Sequence, residues 1–195
     1  MSRKLRLPSP TGIYHWIVRG INKKPLFHNS NDYERFLALF REYKPRYGIA
    51  VHHYCLMTNH VHALLKAPDT SSLSLFSHFV QRRYAYYYSK KHKWSGAVFQ
   101  RMYKGLHVDK EAYLLECGRY IERNPLRAGM VKRLEDYPYS SFHYYAYGQS
   151  DDLLEPSPAF LALSEDPQIR RGIYRQYVKE TRVQEEMFRK GLLRV

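Results

Sequence analysis

The spacing of apolar and polar positions divides the chain into a short, ordered series of elements. Residues 11–21, TGIYHWIVRGI, are rich in β-branched and aromatic side chains and run into Gly20 and Asn22, which predicts a first strand. Asn31 or Ser30 can cap a helix over 32–47, where Phe36, Leu39, Phe40 and Tyr43 recur at helical spacing. Pro45 falls near its end and Gly48 closes it. Residues 49–57 and 60–67 then predict two strands joined by a tight turn at Thr58 and Asn59. A second long helix is expected over 72–91, with Leu73, Phe76, Phe79 and Val80 on its apolar face. Gly96 closes the connection to a fourth strand over 97–108, and Asp109 caps a further helix that must stop at Pro125. The order is β-α-β-β-α-β followed by a helix. This implies an α+β domain of the ferredoxin-like, split βαβ kind with an antiparallel sheet.

Around that core, residues 1–10 form a basic N-terminal arm carrying Arg3, Lys4 and Arg6, and the compact domain is expected over 11–131. The extension over 132–195 begins with the aromatic, turn-rich DYPYSSFHYYAYG and passes a link at Pro156 and Pro158. A helical tail over 166–191, with balanced charge, is expected to be structural.

Charge changes the picture more than composition does. The 195 residues carry a net charge of +14, and an excess of that size implies a polyanionic partner. Residues 1–149 hold 24 Lys and Arg against 10 Asp and Glu, whereas residues 150–195 hold 8 of each, so the whole excess lies in the first part. Residues 70–108 contain Arg82, Arg83, Lys90, Lys91, Lys93, Arg101 and Lys104 without one acid. Tyr84, Tyr86, Tyr87, Tyr88, Trp94, Phe99 and Tyr103 are interleaved with them, rings suited to stacking on unpaired bases. An amphipathic helix with an ordinary basic surface would give a similar pattern. No run of about 18 apolar residues exists and the first thirty residues lack an apolar signal core, so neither a membrane partner nor secretion is expected. That points to the cytoplasm, and for a DNA-bound protein to the nucleoid. Cys55 and Cys117 cannot form a disulfide framework and read as core thiols.

The candidate chemistry begins at YCLMTNHVHALLK, residues 54–66. His60 and His62 stand two apart in a strand, so both imidazoles project from one face while Val61, Ala63 and Leu65 bury the other. In isolation such a pair is more often a satisfied core or surface feature than a metal clamp. Tyr120 and Asn124 stand four apart on the helix before Pro125 and share one of its faces. If that helix crossed the sheet near the histidines, Asn124 could add an amide oxygen to the same ion, and Tyr120 would lie beside it as a nucleophile. Spacing alone also fits a core ring and a surface amide.

The ordered set HVH, then QRRYAYYYSKKHKWSGAVFQRMYKG, then YIERNPLRAGMV, then DYPYSSF resembles the single-tyrosine HUH transposases, specifically the REP-associated tyrosine transposases, over residues 11–148. The resemblance implies that His60 and His62 bind a divalent metal, Mg²⁺ or Mn²⁺. Asn124 would be the third ligand, at a position where related insertion-sequence enzymes carry Gln. It implies further that Tyr120 attacks single-stranded or hairpin DNA to form a 5′-phosphotyrosine link, in a monomer or a homodimer. Arg82, Arg83, Arg101, Lys104, Arg119 and Arg123 are the expected DNA contacts. Two rivals remain: a hairpin-binding module without catalysis, and a structural zinc protein using Cys55, His60, His62 and Cys117, for which no CxxC pair exists. A two-histidine phosphoesterase would need a second HxH or HxT unit.

Overall fold

A computed structural model describes residues 9–108 and 112–180. Four strands, β1 (Ile13–Arg19), β2 (Ala50–Met57), β3 (His60–Lys66) and β4 (Lys104–His107), form one sheet in the order β2-β3-β1-β4. Every neighbouring pair is antiparallel. The helices α1 (Ser30–Tyr43) and α2 (Thr70–His92) follow β1 and β3, which completes the split βαβ arrangement.

Alternation along the strands decides which helices cover which face. Tyr14, Trp16 and Val18 of β1 and Val61, Ala63 and Leu65 of β3 join Phe36, Leu39 and Phe40 of α1 and Leu73, Phe76, Val80 and Tyr84 of α2 in the main core. The opposite face carries Ile13, Cys55, Met57 and Leu64 and receives Leu114, Cys117 and Ile121 of α3 (Ala112–Glu122). A bulge in β2 makes this division possible. The register shifts between Val51 and His53, so His53, Cys55 and Met57 turn toward α3 while Tyr54 and Leu56 stay with the main core.

The fourth strand is shorter than the expected 97–108 because its register with β1 breaks before Lys104. β1 runs on to Arg19, but its pairing with β4 spans only Tyr14 to Ile17, and a single bridge then joins Gly20 to Phe99, two residues off that register. The expected cap at Asp109 lies outside the described residues, as does the tail beyond Glu180.

Past α3 come the short α4 (Asn124–Arg127), α5 (Phe142–Tyr147), α6 (Pro158–Leu161) and α7 (Pro167–Lys179). The segment between α4 and α5 covers the exposed edge of β2: Leu56 N–H donates to Tyr139 O and Ser141 N–H to Tyr54 O, both at about the length of a ladder bond. Leu134, Phe142, Tyr145, Phe160, Tyr174 and Val178 form a third apolar cluster between α5, α6 and α7. Among the described residues no helix is long and apolar enough to cross a membrane.

The close approach of α3 to β2 depends on one glycine. A Cβ at Gly118 would stand 2.6 Å from His53 Cε1, inside contact distance of a fully buried ring. Gly118→Ala is therefore expected to lower stability by about 1–3 kcal/mol through overpacking. Urea denaturation checks it, and an unchanged midpoint would mean that α3 is not held this tightly.

Candidate active site

Three histidines from two strands cluster on one face of the sheet, and two of them meet a tyrosine from a helix. His60 and His62 project from β3 with ring centroids 4.8 Å apart. In the β1–β3 ladder Ile17 pairs with His62, which sets His15 diagonally beside it on the same face. His15 Nε2 lies 2.9 Å from His62 Nδ1, and both side chains are buried. Tyr120 reaches the same place from α3, its ring centroid 5.8 Å from that of His15 and 6.0 Å from that of His62. One chain thus brings the nucleophile candidate and the histidine pair together.

The environment keeps these imidazoles neutral. Burial, reinforced by Lys104, lowers the pKa of His15 to about 3. Burial, with Arg19 nearby, lowers that of His60 to about 4. His62 is held well below the ordinary histidine value, first by burial and then by His15, His60, Arg127 and Arg19. A neutral imidazole offers a lone pair, which is the form that ligates a metal. His60 Nδ1 is engaged by Asn59 Oδ1 at 2.6 Å and His62 Nδ1 by His15, so Nε2 is the second donor atom on each ring. Asn124 donates Nδ2 to Tyr120 O at 2.8 Å and Ile121 O at 3.1 Å, which commits its amide nitrogen to the helix and leaves Oδ1 as the acceptor. Two imidazoles and an amide oxygen fit a divalent ion of intermediate hardness.

The rim is cationic. Arg19 pairs across the ladder with His60, Lys104 stands opposite Ile17 on the face that carries His15, and the Arg127 guanidinium carbon lies 4.8 Å over the Tyr120 ring. All three are exposed. Such a rim favours a phosphate above the histidines.

The family model described as transposase IS200-like matches residues 10–124, which span β1 through the start of α4. The chain belongs to the IS200-like transposase family. No curated protein matches it significantly. Among solved structures, a REP-associated tyrosine transposase bound to a REP hairpin is similar with a TM-score of 0.63 and 18% identity. That match covers 80% of this chain and 96% of the other. A candidate transposase from Deinococcus radiodurans R1 is similar at TM-score 0.43 and 18% identity, over 69% of this chain and 97% of the other. The first likeness supports the same fold, an open antiparallel sheet with helices on both faces.

Several expected DNA contacts of this transposase sit elsewhere than the sequence suggests. Arg119 and Arg123 are 2% and 6% exposed and face α7. Arg119 donates Nε to Tyr177 O at 3.1 Å and Nη2 to Glu180 O, and Arg123 donates Nη1 to Val178 O at 2.7 Å and Lys179 O at 3.2 Å. They satisfy the orphan carbonyls at the end of a helix, where positive charge also meets the negative end of its dipole. Their assignment as phosphate contacts is corrected accordingly. Arg82 and Arg83 are exposed, but on α2, across the sheet from Tyr120, with Arg83 Nε donating to Tyr43 Oη at 3.2 Å. Lys104 alone of the six borders the histidines; Arg101 is exposed in the connection before β4.

The tyrosines of the basic stretch are mostly core. Tyr84, Tyr88 and Tyr103 are buried, their hydroxyls bonded to Leu26 O at 2.6 Å, Pro25 O at 3.1 Å and Ser74 Oγ at 3.0 Å. Of that group Tyr86 is the exposed ring. The zinc reading finds no support: among the described residues no group of three or more His, Cys, Asp or Glu side chains is arranged to hold a metal. Burial, with Glu122 adding, raises the Cys55 thiol well above its ordinary value, and burial pushes Cys117 up to about 12. His15, Arg19 and Arg127 were missed because only the strand register and the helix placement bring them to the site.

Arg123→Ala should lower stability by about 1–3 kcal/mol by leaving the α7 carbonyls without a donor. It should leave the salt dependence of DNA binding unchanged. Denaturation together with binding titrations over a range of salt checks both halves; a flattened salt slope at unchanged stability would restore the phosphate role.

Proposed function

We propose that this transposase is a metal-dependent single-strand DNA endonuclease and strand transferase, with Tyr120 as nucleophile and His60, His62 and Asn124 holding the ion. The observation that supports the reading most is the approach of Tyr120 to the buried His15–His62 pair within one chain. The Tyr120 ring packs edge-on against both imidazoles and beneath the Arg127 guanidinium, a setting suited to a group that meets a phosphate.

In the proposed step the Tyr120 hydroxyl gives up its proton and its oxygen attacks the scissile phosphorus. The new bond joins the tyrosine to the 5′ phosphate as the bond to the 3′ oxygen breaks, and that oxygen takes up a proton. One phosphoester replaces another, so a free 3′ hydroxyl can reverse the exchange at a different DNA end without an outside energy source. Bound there, Mg²⁺ or Mn²⁺ would polarise a non-bridging phosphate oxygen and ease departure of the 3′ oxygen. Arg127, stacked over the attacking ring, meets the same phosphate from the solvent side, and Arg19 and Lys104 hold the flanking ones.

Single-stranded or hairpin DNA is the substrate proposed. The similar solved transposase is bound to a REP hairpin, and the charge of +14 suits a phosphate backbone. A strand unpaired at the cut can bend its phosphate into the cluster, whereas a stacked duplex holds its backbone on the outside. Arg82 and Arg83 would touch only DNA that wraps to the far face. Because one chain carries every proposed reacting group, a monomer suffices.

The test is incubation with single-stranded oligonucleotides bearing the hairpin repeats that flank its own gene, with Mn²⁺. The parent should form a covalent protein–DNA band that survives denaturation, and Tyr120→Phe should lose it with DNA binding nearly unchanged. A band persisting in Tyr120→Phe would move the nucleophile elsewhere. Tight hairpin binding by the parent with no band would favour a recognition module without catalysis.

A further inference from the structure

We infer that His15 is a positioning residue for the ion site: its Nε2 can accept the Nδ1 proton of His62 and so supports the tautomer in which His62 Nε2 offers a bare lone pair once an ion binds there. The inference rests on the reading of His60 and His62 as metal ligands. Two tautomeric arrangements satisfy the 2.9 Å contact. In one, His62 Nδ1–H donates to His15 Nε2, and His62 Nε2 is free to ligate. In the other, His15 Nε2–H donates to His62 Nδ1, and the proton of His62 then sits on Nε2, where it blocks an ion. The two differ by the transfer of one proton along the contact and one on each outer nitrogen, with both rings neutral throughout.

Nothing else near His15 competes for the role. Its side chain is fully buried, and its Nδ1 has no hydrogen-bond partner among the described residues. That nitrogen carries a proton in the ligand-ready tautomer and a lone pair in the other, unpaired either way, so it does not choose between them. The choice falls to whatever binds at His62 Nε2. His60 is arranged differently: Asn59 Oδ1 can only accept, so it holds the Nδ1 proton of His60 in place unaided. His60 is therefore prearranged by a fixed acceptor, and His62 by an acceptor that has two states. A histidine placed on β1, in diagonal register with β3, is what supplies that second acceptor.

The experiment measures Mn²⁺ binding to the DNA-free protein by electron paramagnetic resonance for the parent, His15→Gln, His15→Phe and the His60→Ala/His62→Ala pair. Gln keeps a carbonyl oxygen close to the place of Nε2; Phe keeps the ring volume and cannot accept. The parent is expected to bind Mn²⁺ through His60 and His62, Gln to stay close to it, and Phe to lose roughly 10–100-fold in affinity. Equal affinity of Phe and the parent would overturn the inference while leaving the ligand assignment intact, and so would equal losses in Gln and Phe. Parent affinity that survives in the double alanine variant would sink the ligand reading itself. Should Phe not fold, long-range ¹H–¹⁵N correlation spectra of the parent with Zn²⁺ as a diamagnetic probe decide: a proton on His62 Nδ1 is expected, and one on Nε2 contradicts the inference.

Discussion

The arrangement depends on how closely α3 lies against the sheet. Gly118 lets the helix backbone come up to the His53 ring, and Glu122, one turn further on, fixes it there from the inside. The carboxylate of Glu122 is 1% exposed and takes hydrogen bonds from His53 Nδ1 at 2.9 Å, Ser141 Oγ at 2.6 Å and Tyr174 Oη at 2.9 Å. A buried carboxylate is tolerated only with such a full set of partners, and here they come from β2, the segment before α5, and α7. One side chain therefore ties three parts of the molecule to the helix that carries Tyr120.

That helix works in two directions. Toward the sheet it presents Leu114, Cys117 and Ile121 as packing and Tyr120 toward the histidines; toward the tail it presents Arg119 and Arg123, which grip the last carbonyls of α7. The C-terminal extension thereby braces the back of the helix that carries Tyr120 while its aromatic segment seals the β2 edge. Membership of the IS200-like transposase family rests on residues 10–124, and the parts that brace α3 lie beyond them.

How much of this the sequence discloses follows from the range of each interaction. The period-2 rule puts His60 and His62 on one face because it needs only the strand itself. The element order, and with it the split βαβ sheet, needs only local periodicity, although the extent of β4 depends on its register against β1. His15 is an ordinary strand residue until the β1–β3 register sets it against His62, and register is a tertiary fact. Arg119 and Arg123 stand four apart, as surface cations on a helix often do, and only the return of α7 reveals them as inward-facing. Tyrosines such as Tyr84 look like stacking platforms in a basic stretch, yet a hydroxyl that finds a carbonyl makes the ring good core material.

The central claim is that one chain completes the reacting site, and a mixing experiment tests it most directly. Tyr120→Phe chains, which keep the histidines, are combined with His60→Ala/His62→Ala chains, which keep the tyrosine, and offered single-stranded hairpin oligonucleotides with Mn²⁺. With the parent forming the covalent adduct, the account predicts none from the mixture, since neither chain holds both halves. Adduct recovered in the mixture and absent from each variant alone would contradict it, because Tyr120 would then be serving the histidines of a second chain.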